Sequence, residues 1–590
     1  MSRQSHFVAC MVLCVSLDGC GQARPDAAGD SAAGESAAGT GAGGALGAGG
    51  SLQLNLGGTG PVAPPSCADT AHARGSVGCD FWVVNPPAPS EPYPGQPARD
   101  RGYCFAAFVV NASAQPAHLS VSRDGQRLDV SRFARLPRGV TPNIDYLPLP
   151  DSGLPPNEVA ILFLAHEPGA KSGDAVLTCP VAPALEHSIE IEGTGSGSAF
   201  HLESDAPLSV YDIAPYGGAK SFTPSASLLF PVTAWGTNYV VAAPTGKPTT
   251  GPGAPWMSLV GSVDGTLVTL LPREALWSGG TLPALQANQA TTVTLNAGEV
   301  LQWSGGGMHL PGTPGFSPMG TVIQASAPLG VFAGASAASV HTLTSAHGTA
   351  DAFQQQLPPV SALANRYVGG GVVTRLRSEA PESVAYQLLG VVDDTRLTWD
   401  PGSLDMAPLA LQSGQVVIFE TSAPFSVASQ DAEHPFFMAE YMSGSPDASR
   451  DMPVEGISDL GDPDWVVLVP PAQFLDHYVF FSDPTYGWTN LVVTRKRGAN
   501  GFAEVSLDCT AAPVGGWLPI GTGAELEVAH VDLTRAGVAV GGCGTSRHEM
   551  SSPEPFGVML WGTDSAASYG YAAAGNSEPL SHVIVLPTVR

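Results

Sequence analysis

The feature that most constrains this chain is a short motif that occurs three times. In each copy a proline stands eight residues ahead of a Tyr-Val pair, and the copies begin at Pro231, Pro359 and Pro470. The intervals of 128 and 111 residues are each long enough for one β-unit, so the motif indicates duplication. Between the copies, apolar and polar side chains alternate between Gly and Pro turns, which is typical of short antiparallel strands.

A second motif, an apolar segment that follows a polar turn with proline, occurs four times. The copies begin at Pro207, Pro328, Pro424 and Pro555. Each follows a β-rich segment, so each predicts a hairpin or a strand with a break at the proline. The two motifs together predict four units, at about residues 77–220, 226–345, 355–445 and 465–590.

The first unit lacks a counterpart of the LLFPV strand that opens the second unit. A similar sequence, HVIVLPTVR, occupies residues 582–590. If this C-terminal strand completes the first unit, the array closes and no sheet edge is left open. The predicted fold is therefore all-β, with repeated antiparallel β-units in a closed β-propeller-like ring. A row of tandem β-sandwiches is the alternative.

The N-terminal region has the pattern of an exported lipoprotein. Residues 1–20 combine Arg3 with a short apolar segment and end in LDGC, which resembles a lipobox, so lipidation is predicted at Cys20. Ordinary signal cleavage is the alternative. Residues 21–65 are rich in Gly, Ala and Ser, which predicts a flexible tether ahead of a folded domain at residues 66–590. The predicted location is the cell envelope or outer surface, lipid-anchored, or else secreted.

Six cysteines lie beyond Cys20, and an even number in an exported chain predicts disulfides. The two late cysteines are isolated from the four early ones, so Cys509–Cys543 is the favoured pair. The sequence leaves the pairing of the early four open, and Cys67–Cys79 with Cys104–Cys179 is one possibility. No CxxC spacing occurs, so a zinc site is not predicted.

The charge balance narrows the class of partner. Lys and Arg number 25 and Asp and Glu 52, which gives a formal net charge of −27. Nucleic acids and anionic membrane surfaces bind clustered cations, so neither is a predicted partner, and the predicted membrane contact is the lipid anchor alone. The sequence predicts no cofactor.

Two histidine groups resemble parts of enzyme sites. His548-Glu549 begins like a zincin helix, but no second histidine follows at the required spacing. His434 with Asp431 and Glu433 resembles part of a catalytic triad, but no activated serine is recognisable. Both groups are therefore interpreted as polar residues ahead of a strand, and no catalytic residue is predicted.

Two loops carry residues that could bind a metal. The candidate ligands are Asp459, Asp462 and Asp464 in one loop, and His341, His347 and Asp351 in the other. The acidic loop lacks the remaining positions of an EF-hand, and the histidine loop lacks a complete ligand set. An acidic β-turn and a plain loop are the favoured interpretations, so no metal site is predicted.

Aromatic side chains divide into two groups. Those that recur with the repeat are expected in the core. They are Trp235, Tyr239, Tyr367, Phe474 and Tyr478. Tyr486, Trp488 and Trp561 lie in less regular segments and are the expected candidates for an exposed contact surface.

Several long segments resemble the N-terminal domain family of the IgGFc-binding protein, over nearly all of residues 67–590. They read GCDFWVVNPP, SDAPLSVYDIAPYGG, LPPVSALANRYV, SQDAEHPFFMAEYMSG, DPTYGWTNLVVTR and RHEMSSPEPFGVMLWG. The resemblance implies a bacterial, myxobacterial-type exported member and a non-enzymatic module. We therefore expect a surface-anchored adhesion module that binds an extracellular protein or glycan. The alternatives are an exported hydrolase with a channel site and a structural envelope protein.

Overall fold

The computed structural model describes residues 66–70, 74–87, 101–140, 143–172, 175–221, 223–244, 249–250, 254–305, 317–345, 350–402, 404–446, 449–450 and 460–588. The chain divides into residues 1–53 and 54–590, and every described residue belongs to the second part. The predicted leader and the whole of the predicted tether, residues 1–65, lie outside the described residues.

The described residues form β-strands with only short helices. The helices are α1 (Cys67–Thr70) and α2 (Val130–Phe133), with 3-10 turns at Gly218–Lys220, Val232–Ala234, Val360–Ala362 and Pro471–Gln473. Among these residues, no helix has the length and apolar character to cross a membrane.

The strands group into four repeats. Repeat 1 contains β1 (Val77–Val83), β2 (Phe105–Asn111), β3 (Leu119–Arg123), β4 (Gln126–Leu128), β5 (Ala134–Val140), β6 (Asn143–Pro148), β7 (Val159–Ala165), β8 (Lys171–Ser172), β9 (Ala175–Val176), β10 (Gly195–Ser198), β11 (Phe200–Ala214) and β12 (Ser225–Leu229). Repeat 2 contains β13 (Gly236–Val240), β14 (Thr249–Thr250), β15 (Pro255–Gly261), β16 (Thr266–Leu271), β17 (Thr291–Leu295), β18 (Glu299–Ser304), β19 (Val322–Val340) and β20 (Asp351–Gln356).

The second half of the chain continues the pattern. Repeat 3 contains β21 (Arg366–Gly369), β22 (Val384–Gly390), β23 (Thr395–Asp400), β24 (Ala410–Leu411), β25 (Val416–Thr421), β26 (Phe425–Ser429), β27 (Phe436–Met442) and β28 (Asp464–Val467). Repeat 4 contains β29 (Leu475–Phe481), β30 (Trp488–Lys496), β31 (Ser506–Leu507), β32 (Leu518–Ile520), β33 (Leu526–Arg535), β34 (Val538–Ala539), β35 (Arg547–Asp564) and β36 (Ala567–Ala572).

In repeats 1, 2 and 4 the antiparallel strands form two groups that meet along one long strand, and β10 at the end of repeat 1 pairs with β18 of repeat 2. In repeat 2 the first half of β19 pairs with β13 and β16, and its second half pairs with β15 and β20. The change of partners occurs around Pro328, which has no N–H to donate to a ladder. The strands β11 and β35 change partners in the same way at Pro207 and Pro555. Of the two predicted forms, these three copies are strands that change partners at the proline.

In repeat 3 the long strand is divided into β26 and β27, and this corrects one predicted copy of the second motif. Phe436, at the start of β27, pairs with the last residue of β22, as the residue after Pro328 pairs with the last residue of β15. Phe425 instead begins β26, which pairs with β21. The counterpart of Pro328 is therefore Pro435 and not Pro424. The error arose because both strands begin with an apolar residue after proline.

The first motif forms a 3-10 turn followed by a tyrosine that turns back onto it. Pro231 precedes the turn with φ −64°, close to the value its ring imposes. Tyr239 Oη accepts a hydrogen bond from the Gly236 N–H at 2.9 Å and donates one to the Leu329 carbonyl at 2.8 Å. The prediction that the recurrent aromatics lie in the core is confirmed. The buried set is Trp235, Tyr239, Tyr367, Phe474 and Tyr478.

The prediction of an exposed surface at the other aromatics is wrong. Tyr486, Trp488 and Trp561 are all buried. Trp488 on β30 and Trp561 on β35 both lie where these two strands pair. Both tryptophans are therefore inside repeat 4. Irregular spacing in the sequence therefore did not indicate exposure, because these residues pack between strands whose partners are distant in the chain.

The strands β12, β20, β28 and β36, here called the inner strands, close their repeats. Each pairs with the long strand of the same repeat, or with β27 in repeat 3, rather than opening the next repeat. They also pack side by side in cyclic order, β12 against β20, β20 against β28, β28 against β36, and β36 against β12. The all-β prediction is confirmed. The sheets are curled, and none closes on itself among the described strands. The predicted closed propeller-like ring is therefore not shown, and the arrangement is compatible with the alternative of tandem sheets.

The prediction that the C-terminal segment forms a strand that completes repeat 1 is wrong. Residues 582–588 form no strand, and the fourth inner strand is β36. The chain ends nevertheless meet, because Gly75 and Asn576 form an antiparallel bridge. Repeats 1 and 4 also share a core, in which the rings of Phe108 and Phe481 lie 4.9 Å apart. The first and last repeats are therefore neighbours through packing rather than through a shared C-terminal strand.

The described residues contain three disulfides, in agreement with the expectation for an exported chain. They join Cys67 to Cys79, Cys104 to Cys179 and Cys509 to Cys543. These are the pairs that the sequence analysis favoured or named as one possibility. Cys20 lies outside the described residues.

Candidate functional site

The four inner strands begin at the same end of the molecule. The N–H groups of Gln354 and Gln356 on β20 donate to the hydroxyls of Ser225 and Ser227 on β12, so the two strands run in the same direction. Just ahead of β28, the Asp462 N–H donates to Ser568 Oγ of β36. The N–H of Gly570, two residues further along β36, donates to Asp464 at the start of β28, so these two strands also run in the same direction. The end at which these strands begin is called the hub end.

Loops from all four repeats meet at the hub end. Gly217 of repeat 1 donates its N–H to Asp483 of repeat 4 at 2.9 Å. Ser345 of repeat 2 donates its hydroxyl to two carbonyl groups of repeat 3, those of Gly444 and Ser445. The hub end is therefore a surface of connecting loops held on buried strands, an arrangement in which proteins commonly place binding residues.

Two fully buried carboxyl groups lie at the centre of the hub end. Asp351 Oδ1 and Asp464 Oδ1 each accept the N–H of the following residue at 2.7 Å. The N–H of Ser568 also donates to Asp351, and that of Gly570 donates to Asp464. The Oδ2 atoms of both aspartates are buried without a hydrogen-bond partner. The carboxyl groups of Asp351 in repeat 2 and Asp464 in repeat 3 therefore accept hydrogen bonds from two positions of β36 that are two residues apart.

The electrostatics of the hub end disfavour negative charge. Burial, and then the charges of Asp462 and Asp464, raise the pKa of Asp351 well above its usual value. Burial likewise raises the pKa of Asp464 well above its usual value. Asp483, whose oxygens accept bonds from Gly217 and Thr485, also has a pKa raised by burial. Burial is the largest cause in all three groups, because a carboxylate loses its hydration when it is removed from water.

A buried ion pair fixes the loop that leads to Asp462. The Arg375 guanidinium contacts the Glu382 carboxylate at 2.8 Å, and both side chains are almost completely buried. The same guanidinium donates to the carbonyls of Leu460 and Gly444. Arg375 is thus a positioning residue for the acidic loop, and its charge is already compensated by Glu382.

The far end of the inner strands is apolar. A cavity of about 40 Å³ there is lined by residues of all four inner strands, including Leu228, Gln356, Val467 and Ala572. The C-terminal segment crosses near this end, where Leu580 donates its N–H to the Ser361 carbonyl. The lining of this cavity combines apolar side chains with neutral amides, whereas the buried carboxyl groups described above lie at the hub end.

A second cavity of about 40 Å³ contains an unusual glutamate. Glu440 on β27 lines it together with Val492 and Met559 of repeat 4. Burial raises the pKa of Glu440 to about 8, although a hydrogen bond with Tyr386 partly offsets this. Glu440 is therefore protonated at neutral pH inside the contact between repeats 3 and 4.

This glutamate predicts a pH dependence of stability. Because the pKa of Glu440 is higher in the folded chain than its ordinary value of 4.5, its stabilising contribution is complete below about pH 4.5 and is lost as the pH rises toward 8. Glu440→Gln should lack this component, which we expect to be on the order of a few kcal/mol. Urea unfolding at intervals from pH 5 to 9 measures it. Glu504→Gln, at an exposed position, should retain the wild-type slope, and an equal slope in Glu440→Gln would contradict the prediction.

The two histidine groups that resemble parts of enzyme sites in the sequence lie in other settings in the structure. His434 Nδ1 lies 2.6 Å from Asp431 Oδ1, but Ser429 Oγ donates to the His434 carbonyl rather than to the imidazole. His548 lies on the strand β35 and not on a helix, with Nδ1 3.2 Å from Asp508. Neither histidine is therefore placed to activate a nucleophile.

Among the described residues, one group of three possible metal ligands lies within 4.8 Å, namely Asp508, Cys509 and His548. Cys509 is bonded to Cys543, so its sulfur is not a thiolate ligand. Of the candidate metal ligands named from the sequence, Asp459 and His347 lie outside the described residues. Asp351, Asp462 and Asp464 are instead brought to the hub end from two loops.

The sequence analysis considered the loop of Asp351 and the loop of Asp462 and Asp464 separately and did not predict that they lie close together. The signal that could have found it is spacing. Asp351 and Asp462 each stand eight residues before a motif proline, Pro359 and Pro470. Equal offsets from a repeated motif predict equivalent positions around the inner strands.

The fold and the site define a class of protein: a disulfide-linked, all-β repeat protein with its polar groups at a loop-bearing end. The family model described as IgGFc binding protein matches residues 225–562, more than half of the chain. The chain therefore belongs to the IgGFc binding protein family, an extracellular binding family not known for enzymatic activity. No curated protein and no solved structure matches it.

Proposed function

We propose that this protein is a surface-anchored, non-catalytic adhesion module that binds an extracellular protein or glycan through the loops of the hub end. The observation that carries the proposal is the meeting of loops from all four repeats on one rigid set of strands. Ser345, Gly444 and Asp483 belong to three of these loops and are hydrogen-bonded between repeats. Membership of a binding family and three disulfides support an extracellular binding role.

The anchor is part of the same proposal. Cys20 in the LDGC sequence is the proposed lipidation site, and residues 21–65 are the proposed tether that holds the folded domain away from the membrane. We expect labelled palmitate to be incorporated into the wild-type chain and to be lost in Cys20→Ala. Equal labelling of both chains would remove Cys20 as the site.

The ligand can be sought with two probes. The family name makes the Fc fragment of human IgG the first probe, and a glycan array is the second. Leu343, which is 86% exposed in a hub-end loop, should contribute contact area, so Leu343→Ser should weaken binding by roughly tenfold. Met406, 85% exposed in the loop between β23 and β24, gives a matched control, and Met406→Ser should bind as the wild type does.

Other results would point to the alternatives. Equal loss of affinity in both variants would remove the hub-end loops as the binding surface. Self-association of the purified chain in light scattering, with no saturable binding to either probe, would favour a structural envelope protein. Cleavage of an arrayed glycan would favour an exported hydrolase.

A further inference from the structure

We propose that the Cys509–Cys543 disulfide occupies a zinc site that forms when this disulfide is reduced. The proposed ligands are the two cysteine thiolates, His548 and Asp508, all in repeat 4. In the oxidised chain a covalent link joins the two cysteine segments, and in the reduced chain the metal ion takes the place of that link. The site is independent of whichever ligand the hub-end loops bind.

Three separate segments of repeat 4 bring these side chains together. Asp508 and Cys509 follow β31, Cys543 follows β34, and His548 is the second residue of β35. The Asp508 N–H donates to the Glu549 carbonyl at 3.0 Å, so the segment after β31 lies directly against β35. The ligand atoms of Asp508, Cys509 and His548 all lie within 4.8 Å of one another. Because Cys543 Sγ is bonded to Cys509 Sγ, a fourth ligand atom lies beside these three.

The imidazole of His548 makes the hydrogen bond that orients a metal-binding histidine. Its Nε2 lies 2.7 Å from the Gly544 carbonyl oxygen, which accepts the ring N–H. Its Nδ1 faces Asp508 Oδ1 at 3.2 Å. Metal-bound histidines usually donate the N–H of their other ring nitrogen to a carbonyl or carboxylate, which fixes the tautomer and the ring orientation. His548 is 3% exposed, so its Nδ1 is held toward the other three ligands.

The distances suit a tetrahedral zinc ion once the disulfide is open. Zinc binds sulfur at about 2.3 Å and nitrogen or oxygen at about 2.0–2.2 Å, so its ligand atoms stand roughly 3.3–3.8 Å apart. The 3.2 Å between His548 Nδ1 and Asp508 Oδ1 is close to this range. Two bonded sulfurs are only about 2 Å apart, so reduction must let them separate by roughly 1.7 Å. The oxidised chain therefore excludes the ion, and the reduced chain accepts it with small side-chain movements.

The donor set selects zinc, and a neighbouring arginine positions the carboxylate. Thiolate sulfur with imidazole nitrogen favours zinc over calcium and magnesium, which prefer oxygen donors. Arg547 Nη1 lies 3.1 Å from Asp508 Oδ2, and its Nη2 contacts the Glu549 carboxylate. The guanidinium therefore holds Asp508 by one oxygen while the other oxygen faces His548. Arg547 is the proposed positioning residue of the site.

The site is open to a thiol reductant on one side. Asp508 is exposed and Cys509 is half-buried, whereas Cys543 is 2% exposed. Two molecules of a small thiol transfer two electrons and two protons to the disulfide, so that they become one disulfide and the two cysteines become thiols. Zinc then binds both sulfurs as thiolates and releases two protons. The same dithiol is present in a newly made chain before it is oxidised.

The experiment compares the full chain in its oxidised and reduced states. A phosphine reductant opens the disulfides without adding thiols that compete for the metal, and isothermal titration calorimetry measures zinc binding. Cobalt(II) in place of zinc reports thiolate ligands through its charge-transfer absorption. We expect one tight zinc site per reduced chain and none in the oxidised chain. Zinc should also raise the melting temperature of the reduced chain, because the site exists only in the folded state.

Three variants assign the ligands. Cys509→Ser combined with Cys543→Ser keeps the four cysteines of the other two disulfides and should lose both the tight site and the cobalt charge-transfer band. Asp508→Asn, at an exposed position, should fold normally and weaken zinc binding by at least about tenfold. His434→Gln is the matched control, since it removes a histidine that lies 2.6 Å from the Asp431 carboxylate in repeat 3, and it should bind zinc as the wild type does.

Four results would overturn the proposal. They are no zinc binding to the reduced chain, equal zinc binding to the oxidised chain, wild-type affinity in the double cysteine variant, and wild-type affinity in Asp508→Asn. A melting temperature that falls with zinc would also overturn it, because the metal would then be bound by thiols of the unfolded chain. If the double cysteine variant does not fold, the two redox states of the wild type and Asp508→Asn still decide the question.

Discussion

A chain that ends after residue 574 should melt many degrees below the full chain. Residues 575–586 form the segment that ties all four repeats together, so their loss acts on every repeat at once. The Ser76 N–H donates to the Gly575 carbonyl in contact with repeat 1, and the Asn576 N–H donates to the Gln473 carbonyl beside repeat 4. Leu580 donates to Ser361 ahead of repeat 3.

The contact with repeat 2 is the most complete. Asn238 on β13 donates to the Val585 carbonyl at 2.8 Å and accepts the Val585 N–H at 2.9 Å, and the Val585 side chain is buried. Each lost hydrogen bond costs on the order of 1 kcal/mol, and a buried group left unpaired costs more. The total expected loss is roughly 5–10 kcal/mol, which is comparable to the stability of many domains.

Thermal and urea unfolding followed by circular dichroism measure this effect. A chain that ends after Leu586 is the matched control, since it retains the Asn238–Val585 contact, and it should unfold like the full chain. If the larger truncation gives no folded protein, Asn238→Ala isolates one contact and should cost about 1–3 kcal/mol. An unchanged midpoint after removal of residues 575–590 would show that the repeats hold together without this segment.

Substitution of Arg375 should have the next largest effect. Arg375→Met leaves the Glu382 carboxylate buried without its cation, at an expected cost of about 3–5 kcal/mol. It also removes donors from the carbonyls of Leu460 and Gly444, so the loop ahead of Asp462 loses its support. Replacement of both partners, as in Arg375→Met with Glu382→Leu, should recover much of the loss because no buried charge remains.

A double-mutant cycle in urea unfolding gives the coupling between the two residues. The matched control is the ion pair of Arg366 and Glu525, whose atoms approach to 2.9 Å but whose side chains are 40% and 62% exposed. Arg366→Met should cost no more than about 1 kcal/mol, since solvent screens the exposed pair. Similar losses at Arg375 and Arg366 would show that burial does not set the strength of the first pair.

The sequence alone determined the local features of this protein. Alternating side chains and turn residues specified the strands, and the spacing around Pro231, Pro359 and Pro470 specified a repeated unit. These features depend on residues close together in the chain, so a pattern in the sequence records them. The family resemblance rested on the same local segments.

The tertiary structure decided which segments become neighbours. It assigned the inner strands to the preceding repeats, placed Tyr486, Trp488 and Trp561 in the interior, and gave Pro435 the place predicted for Pro424. It also brought Asp351 and Asp464 together across more than 100 residues of chain. The physical reason is that strand partners and buried charges are chosen by packing and hydrogen bonding between distant segments, and the residues beside each segment carry no record of that choice.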